Sequence, residues 1–213
     1  MRRLIKAPKP AILETNGAGW TKEYAEAALA GTERPKRWGH RQIRLALTHE
    51  TGKRCAYCDA NMMAVTTGNV EHILPRARHP ELVVDWDNLT LACPRCNNTK
   101  KDYCDHTFPL LNPYTDDPDE HLIFVGSLVF SRPGSDVGAV TVLKLGLSRS
   151  DLVEARKRRL ESISSLLDNW ARAHGALKEA IRDVIREDVA DGEFRKSVEA
   201  LLRECRFPLD EES

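Results

Sequence analysis

The sequence predicts an α+β protein, and three features lead to that class. Two Cys-x-x-Cys pairs enclose short runs with β-prone residues, further β-prone runs follow them, and the last third of the chain carries apolar residues at helical spacing. On these changes of character we divide the 213 residues into four parts. They are an N-terminal helical segment (1–54), a cysteine-bearing core (55–105), a loop with a small β segment (106–147) and a C-terminal helical region (148–213).

Two short helices are predicted before the core, over residues 20–29 and 42–49, with Gly17 and Gly31 as punctuation. Residues 33–54 carry seven basic side chains against two acidic ones, whereas the whole chain has 32 of each sign. We expect this local excess to hold nucleic-acid phosphates or, as the alternative, to form a solvated helix face. A chain of zero net charge is not expected to bind DNA strongly by itself.

The two Cys-x-x-Cys pairs predict a structural zinc site. Each pair presents two thiolates on a short turn, so the four together suit one tetrahedral ion held by Cys55, Cys58, Cys93 and Cys96. Ordinary buried thiols and a disulfide framework are the alternatives. A chain of this length can bury its own core, and its first residues lack the apolar run of a secretory signal. We therefore expect reduced cysteines and a cytoplasmic location.

Between the cysteine pairs the pattern predicts strand, loop, strand and helix, in that order. Residues 69–76 form a predicted strand that ends at Pro75, with His72 near its end. Residues 86–93 give a turn and a second strand, and residues 96–102 are expected to be helical.

With these elements in place, four motifs resemble the HNH endonucleases, also called ββα-metal nucleases, in their four-cysteine form: CAYC, VEHILP, WDNLTLAC and CPRCNNTKK. The resemblance covers about 50 residues and implies a ββα-metal core with a structural four-cysteine zinc knuckle. It also implies that His72 activates water, that Asn88 braces the loop orienting this histidine, and that Asn97 helps to hold a divalent cation. Asn97 departs from the pattern, since many members have histidine there.

Glu71 matches an acidic position of the same family and is the expected carboxylate ligand, with Asn97, of Mg²⁺ or Mn²⁺. Phosphodiester hydrolysis needs a deprotonated water and charge compensation, which a histidine and one such ion can supply. Four thiolates leave zinc no open position, so the two ions would be separate. Simpler roles stay open for His72 as a strand-end residue, for Asn88 as a turn former and for Asn97 as a helix N-terminal residue.

Basic residues around the motif are expected to contact DNA phosphates: Arg76, Arg78, Lys100 and Lys101, with His79 beside them. The other histidines, together with Cys104 and Cys205, are expected to have packing or surface roles. Met62 and Met63 are expected to pack under the cysteine loop.

Downstream, β-prone runs at residues 121–125, 128–130 and 139–145 predict a small antiparallel sheet. A long helix is predicted from Asp151, capped by Ser148 or Ser150. Two more amphipathic helices are expected after a break at Gly175, and the apolar stripe of the first is formed by Leu177, Ile181, Val184 and Ile185. The basic run at residues 156–159 is expected on a solvated face, with a phosphate or partner contact as the alternative.

The chain opens with Arg-Arg-Leu-Ile-Lys, carries VEHILPRARHPELVVDWDNL at its centre and has a predicted helical C-terminus. This whole-chain pattern is similar to the HNH subunit of Septu-type antiphage systems, in which the nuclease acts beside an ATPase. The similarity implies a DNA endonuclease in a defence complex, with a separate ATPase subunit as partner. No membrane association and no small-molecule cofactor are expected. One alternative is a restriction or mobile-element HNH endonuclease acting alone, which should carry a sequence-reading module. The other is a non-catalytic zinc module that binds nucleic acid or protein.

Overall fold

Two short antiparallel hairpins and several helices make up the fold, which confirms the α+β class. The computed structural model describes residues 1–62 and 66–209. Its helices are α1 (Ala11–Ala30), α2 (Arg41–Glu50), α3 (Pro94–Lys100), α4 (Pro118–His121), α5 (Asp136–Leu145), α6 (Ser150–Arg172), α7 (Gly175–Asp191) and α8 (Arg195–Glu204). Its strands are β1 (Asn69–His72), β2 (Leu89–Ala92), β3 (Leu122–Val125) and β4 (Leu128–Ser131).

The core hairpin pairs β1 with β2, and α3 follows directly. Val70 lies opposite Leu91 and His72 opposite Leu89, and all four residues of β2 are buried. The strand ends at His72, earlier than predicted, because the N–H of Leu74 donates to the side chain of Asn88 at 2.7 Å. The helix begins at Pro94, two residues before the predicted start, since Cys93 caps it by accepting from the N–H of Cys96.

The N-terminal helices lie against this core. The prediction for α2 is confirmed, and Gly31 ends α1 in the left-handed conformation (φ 67°) as expected. The prediction that Gly17 marks a break before the first helix is wrong, because α1 runs through it. Leu13, Gly17 and Tyr24 fall on one face of a continuous helix and are all buried, so packing outweighs the low helix propensity of glycine.

The middle of the chain forms the predicted β3–β4 hairpin, with Phe124 opposite Val129. The third predicted strand, at residues 139–145, is wrong because this stretch lies in α5. The hydroxyl of Ser135 accepts from the N–H of Gly138 at 3.0 Å and caps the helix, and Gly146 (φ 57°) ends it. Gly138, Thr141 and Leu145 are buried at helical spacing, which a short apolar run does not reveal by itself.

The C-terminal helices enclose a second core of their own, formed by Ile163, Leu167, Ile185, Val189, Val198, Leu202 and Phe207. The predicted break near Gly175 separates α6 from α7. The predicted serine cap is wrong: Arg149 precedes α6 without a side-chain cap, and the hydroxyl of Ser148 bonds the backbone of Val129 instead. Leu177, which we expected on the apolar stripe of α7, is exposed.

The basic run on α6 is not simply a solvated face. Arg156 is buried, and its Nη1 donates to the carbonyls of Leu147 and Ser127 at 2.7 and 3.2 Å. Arg159 pairs with Asp188 on α7 at 2.6 Å. These two side chains therefore hold α6 to its neighbours.

Among the described residues, no helix is both long and apolar enough to cross a membrane.

Asp59 joins three parts of the chain behind the first cysteine pair. Its Oδ1 lies 3.2 Å from Nε of Arg2 and 3.8 Å from Nε of Arg54, while its Oδ2 accepts from the backbone N–H of Arg195 at 2.9 Å. The side chain is 3% exposed. Because Arg195 opens α8, the carboxylate supplies this helix with an N-terminal cap from outside its own segment.

Replacing Asp59 with alanine should lower the free energy of unfolding by about 3 kcal/mol, since the guanidinium groups of Arg2 and Arg54 would lose a buried partner. Urea unfolding at neutral pH measures the change. Glu23→Ala removes the partner of the exposed Arg37 and serves as the control, for which little change is expected. Equal losses in the two variants would contradict a structural role for Asp59.

Candidate active site

Four cysteines come together at the base of the core hairpin. The sulfur atoms of Cys55, Cys58, Cys93 and Cys96 all lie within 4.8 Å of one another, and those of Cys58 and Cys93 are 3.9 Å apart. A tetrahedral zinc ion with Zn–S bonds of about 2.3 Å requires sulfur atoms about 3.8 Å apart. The spacing fits one metal ion held by four thiolates.

The backbone around the cysteines prepares this arrangement. The N–H of Asp59 donates to the carbonyl of Cys55 at 2.9 Å, which closes the first turn, and Asp59 adopts φ 63° there. The N–H of Ala56 donates to the carbonyl of Leu91 at 2.9 Å and ties that turn to β2. Nη1 of Arg149 lies 3.6 Å from the sulfur of Cys96, where its charge favours a thiolate.

His72, at the end of β1, is 2% exposed and held on one side. Its Nε2 lies 2.8 Å from the carbonyl of Val83, and its ring packs against that of Trp38 in a T-shaped arrangement with centroids 5.1 Å apart. Its Nδ1 is buried and has no hydrogen-bond partner within the part of the chain the structure describes. Burial lowers the pKa of His72 to about 4, against the smaller raising effect of the Val83 carbonyl. The imidazole is therefore neutral at pH 7.

Glu71 precedes this histidine and is 5% exposed. Its Oε1 lies 2.8 Å from the ammonium nitrogen of Lys100, which also donates to the carbonyl of His72 at 2.8 Å. Burial raises the pKa of Glu71, and the neighbouring Lys100 opposes that rise. The prediction that Lys100 contacts DNA does not fit this position, because the side chain is 3% exposed and engaged inside the core.

Asn88 bridges the two sides of the loop that follows β1. Its Oδ1 accepts from the N–H of Leu74, and its Nδ2 donates to the carbonyls of Leu74 and Leu82 at 3.0 and 3.2 Å. The residue is buried. All three bonds hold the chain on the C-terminal side of His72, so the side chain lies where a bracing residue would act.

Asn97 lies half-buried on α3 and faces the same cavity as Glu71 and His72. No hydrogen bond from residues 1–62 or 66–209 engages its side-chain amide, which leaves the amide oxygen available to a ligand. The cavity has a volume of about 460 Å³, and its lining residues are Tyr24, Arg34, Glu71, His72, Pro75, Arg76, Ala77, Asn97, Asn98, Lys101 and Asp102.

The remaining predicted contact residues lie around this cavity in different ways. Arg76 and Lys101 are exposed and line it. Arg78 is exposed, does not line the cavity, and donates to the carbonyl of Cys104 at 3.3 Å. His79 also turns away: its ring nitrogens lie 3.1 Å from Glu81 and 3.6 Å from the sulfur of Cys104. Met62 is buried as expected, whereas Met63 lies outside the described residues.

Sequence reasoning missed the contribution of the N-terminal segment. Tyr24 and Arg34 line the cavity, and Trp38 contacts His72. The basic excess at residues 33–54 was a signal for Arg34. Other members of that excess form ion pairs with acidic residues of the same chain, as Arg37 does with Glu23 and Arg54 with Asp59. The two aromatic residues carried no comparable signal.

Comparison with known proteins gives a family for the core. Residues 55–103 match the family model described as HNH endonuclease. Septu protein PtuB of Bacillus thuringiensis is 33% identical over an alignment of 138 residues, and the match covers 62% of this chain and 52% of that protein. Septu protein PtuB of Bacillus mycoides (strain KBAB4) is 28% identical over an alignment of 145 residues, and the match covers 52% of this chain and 48% of that protein. The chain thus spans about half the length of the curated relatives it matches.

These findings confirm both resemblances identified from the motifs. They agree with the geometry described above, in which a four-cysteine cluster closes a ββα unit that carries Glu71, His72 and Asn97. Residues 55–103 of this chain match the HNH endonuclease family, and the chain is similar to the Septu protein PtuB.

Proposed function

We propose that this chain is a metal-dependent DNA endonuclease that hydrolyses phosphodiester bonds as the effector of an antiphage complex. The observation that carries the proposal is the state of His72. One ring nitrogen is fixed by the protein, the other has no partner among the described residues, and the residue lines a cavity that also contains Glu71 and Asn97.

The hydrogen bond to Val83 supports a role for His72 as general base. A carbonyl oxygen only accepts, so Nε2 carries the proton and Nδ1 carries the lone pair. A neutral imidazole in this tautomer can take a proton from water at Nδ1. The burial that lowers its pKa also weakens it as a base. The negative charge of a bound phosphodiester would strengthen it again.

The proposed catalytic ion is Mg²⁺ or Mn²⁺, held by Glu71 and Asn97. The donors fit such an ion, because a carboxylate and an amide oxygen line one cavity and both are hard ligands. When bound, the ion supplies charge compensation for the phosphate and for the departing oxygen. In the protein itself, Lys100 balances the charge of Glu71, and Asn88 fixes the loop after His72.

A structural zinc ion is proposed for the four cysteines, separate from the catalytic ion. Four thiolates complete a tetrahedral shell and leave no open position for a substrate oxygen. The capping bond within the second cysteine pair begins α3, the helix that carries Asn97. The zinc ion would therefore act on catalysis through the placement of that helix.

The proposed partner is a separate ATPase subunit. The relatives named above are Septu proteins, and the similarity to the HNH subunit of Septu-type systems supports a multi-component assembly. The zero net charge and the internal use of many basic side chains also favour a partner that contributes to DNA binding.

His72→Ala should lower the rate of DNA cleavage by about 100-fold or more, because it removes the proposed base. The rate is measured on plasmid DNA with Mg²⁺ or Mn²⁺, with zinc content and thermal unfolding followed in parallel. His49→Ala alters an exposed histidine on α2 and should leave all three readouts unchanged. Wild-type cleavage by His72→Ala would refute the assignment of His72 as base.

Cys93→Ser should lower the zinc content and the unfolding temperature together, since it removes one of the four thiolates that would hold the ion. Elemental analysis of the purified protein gives the zinc content. The matched control is Cys205→Ser, which changes an exposed cysteine outside the cluster and should retain zinc. Unchanged zinc in Cys93→Ser would exclude the cluster as the zinc site.

An ATPase encoded beside this chain should co-purify with it and raise its rate of DNA cleavage. The His72→Ala chain should bind the same ATPase without cleavage, because the variant alters the proposed base and leaves the exposed surface intact. Co-expression and pull-down, followed by a cleavage assay on the complex, measure both effects. Equal cleavage with and without the ATPase, and no co-purification, would argue for a nuclease that acts alone.

A further inference from the structure

The cavity beside His72 is not built by the HNH domain alone. Tyr24 on α1 and Arg34 in the loop after it line the cavity, and both lie outside residues 55–103. Trp38, from the same loop, contacts the ring of His72. We call these three residues the N-terminal wall.

Two arginines lie over the aromatic rings of the N-terminal wall, one of them Arg34 of the wall itself and the other Arg76 of the loop after β1. The guanidinium carbon of Arg34 lies 5.9 Å from the ring centroid of Tyr24, and that of Arg76 lies 4.9 Å from the ring of Trp38. The two rings meet edge to face, with centroids 5.9 Å apart. A ring face orients a guanidinium group and leaves its in-plane N–H donors free, which suits phosphate recognition.

The N–H donors of both arginines are unused within the part of the chain that the structure describes. Within residues 1–62 and 66–209, neither Arg34 nor Arg76 has an ion pair or a hydrogen bond, and both are exposed. Other arginines of the basic segment differ: Arg37 pairs with Glu23 at 3.0 Å, and Arg44 donates to Thr67 at 2.9 Å. The guanidinium groups of Arg34 and Arg76 are therefore oriented at the cavity, and their N–H donors are available to bind an anion.

We propose that the N-terminal wall is part of the substrate site, in which Arg34 and Arg76 bind DNA phosphates beside the scissile bond. The inference rests on the proposed nuclease function. Trp38 holds Arg76 on its face and contacts His72 in a T-shaped arrangement, with the two ring centroids 5.1 Å apart. Trp38 is thus a positioning residue, because the same ring orients both Arg76, which would bind a phosphate, and His72.

The binding test uses the full chain and a fluorescent DNA duplex without added Mg²⁺ or Mn²⁺, so that no cleavage occurs. Arg34→Gln should weaken DNA binding about 10-fold, as expected for a lost charged hydrogen bond. It should also reduce the slope of log affinity against log salt by about one. Arg37→Gln is the matched control in the same segment, with the same charge change, and should bind nearly as the wild type does. Arg34→Lys should recover part of the lost affinity.

The outcomes separate this inference from the nuclease proposal. Should the wild type cleave DNA while Arg34→Gln binds as tightly as Arg37→Gln, the wall is not a phosphate site and the nuclease proposal stands. Should Arg34→Gln bind weakly while the wild type fails to cleave with Mg²⁺ or Mn²⁺, the phosphate site stands and the nuclease proposal fails. Absence of DNA binding by the wild type would overturn the wall as a DNA site.

The positioning role of Trp38 has its own readout. Trp38→Leu should lower kcat more than it raises KM, because His72 would lose the ring that packs against it, and Trp38→Phe should restore most of kcat. A general loss of stability would instead show in the thermal unfolding of both variants. Equal kcat values for the leucine variant and the wild type would remove Trp38 from the proposal.

Discussion

Four sulfur atoms, from the two ends of the segment formed by residues 55–103, are the constraint on which the rest of the site depends. β1 and β2 have four residues each, and a two-stranded hairpin of that size is at best marginally stable alone. A metal ion at Cys55, Cys58, Cys93 and Cys96 would close the chain around this hairpin. Because Cys93 also caps α3, the same ion would fix the start of the helix that brings Asn97 and Lys100 to the hairpin.

A metal ion at these cysteines would allow polar groups to be buried where an unconstrained hairpin would expose them. Glu71, His72 and Lys100 are each at most 5% exposed. Lys100 offsets the cost of burying the carboxylate, and the carbonyl of Val83 satisfies one nitrogen of the imidazole. Within this group, Nδ1 of His72 is the exception because it has no partner among the described residues, and such an atom is typical of a site that binds a substrate. Outside this centre, Asp59 and the N-terminal wall join residues 55–103 to the two helical regions.

Much of the core could be predicted from the sequence because its signals are local. Cysteine spacing and the motif letters around His72 and Asn97 are read over a few residues. The structure brings the four cysteines into one cluster and places His72 and Asn97 on one cavity. The failures have a non-local cause. The apolar run at residues 139–145 is compatible with either a strand or a helix. Its packing in the folded protein, with Gly138, Thr141 and Leu145 buried, favours the helix α5. Likewise, the burial of Lys100 and the contact of Trp38 with His72 depend on segments far apart in the chain.

The most direct test of the account is DNA cleavage by the full chain after its metals are removed and restored one at a time. The account predicts two ions with separate duties. Zinc alone should restore the fold without cleavage, Mg²⁺ or Mn²⁺ alone should restore neither, and both together should restore cleavage. Cleavage without any divalent cation, or full recovery with Mg²⁺ alone after zinc removal, would contradict a catalytic site held in place by a zinc clamp.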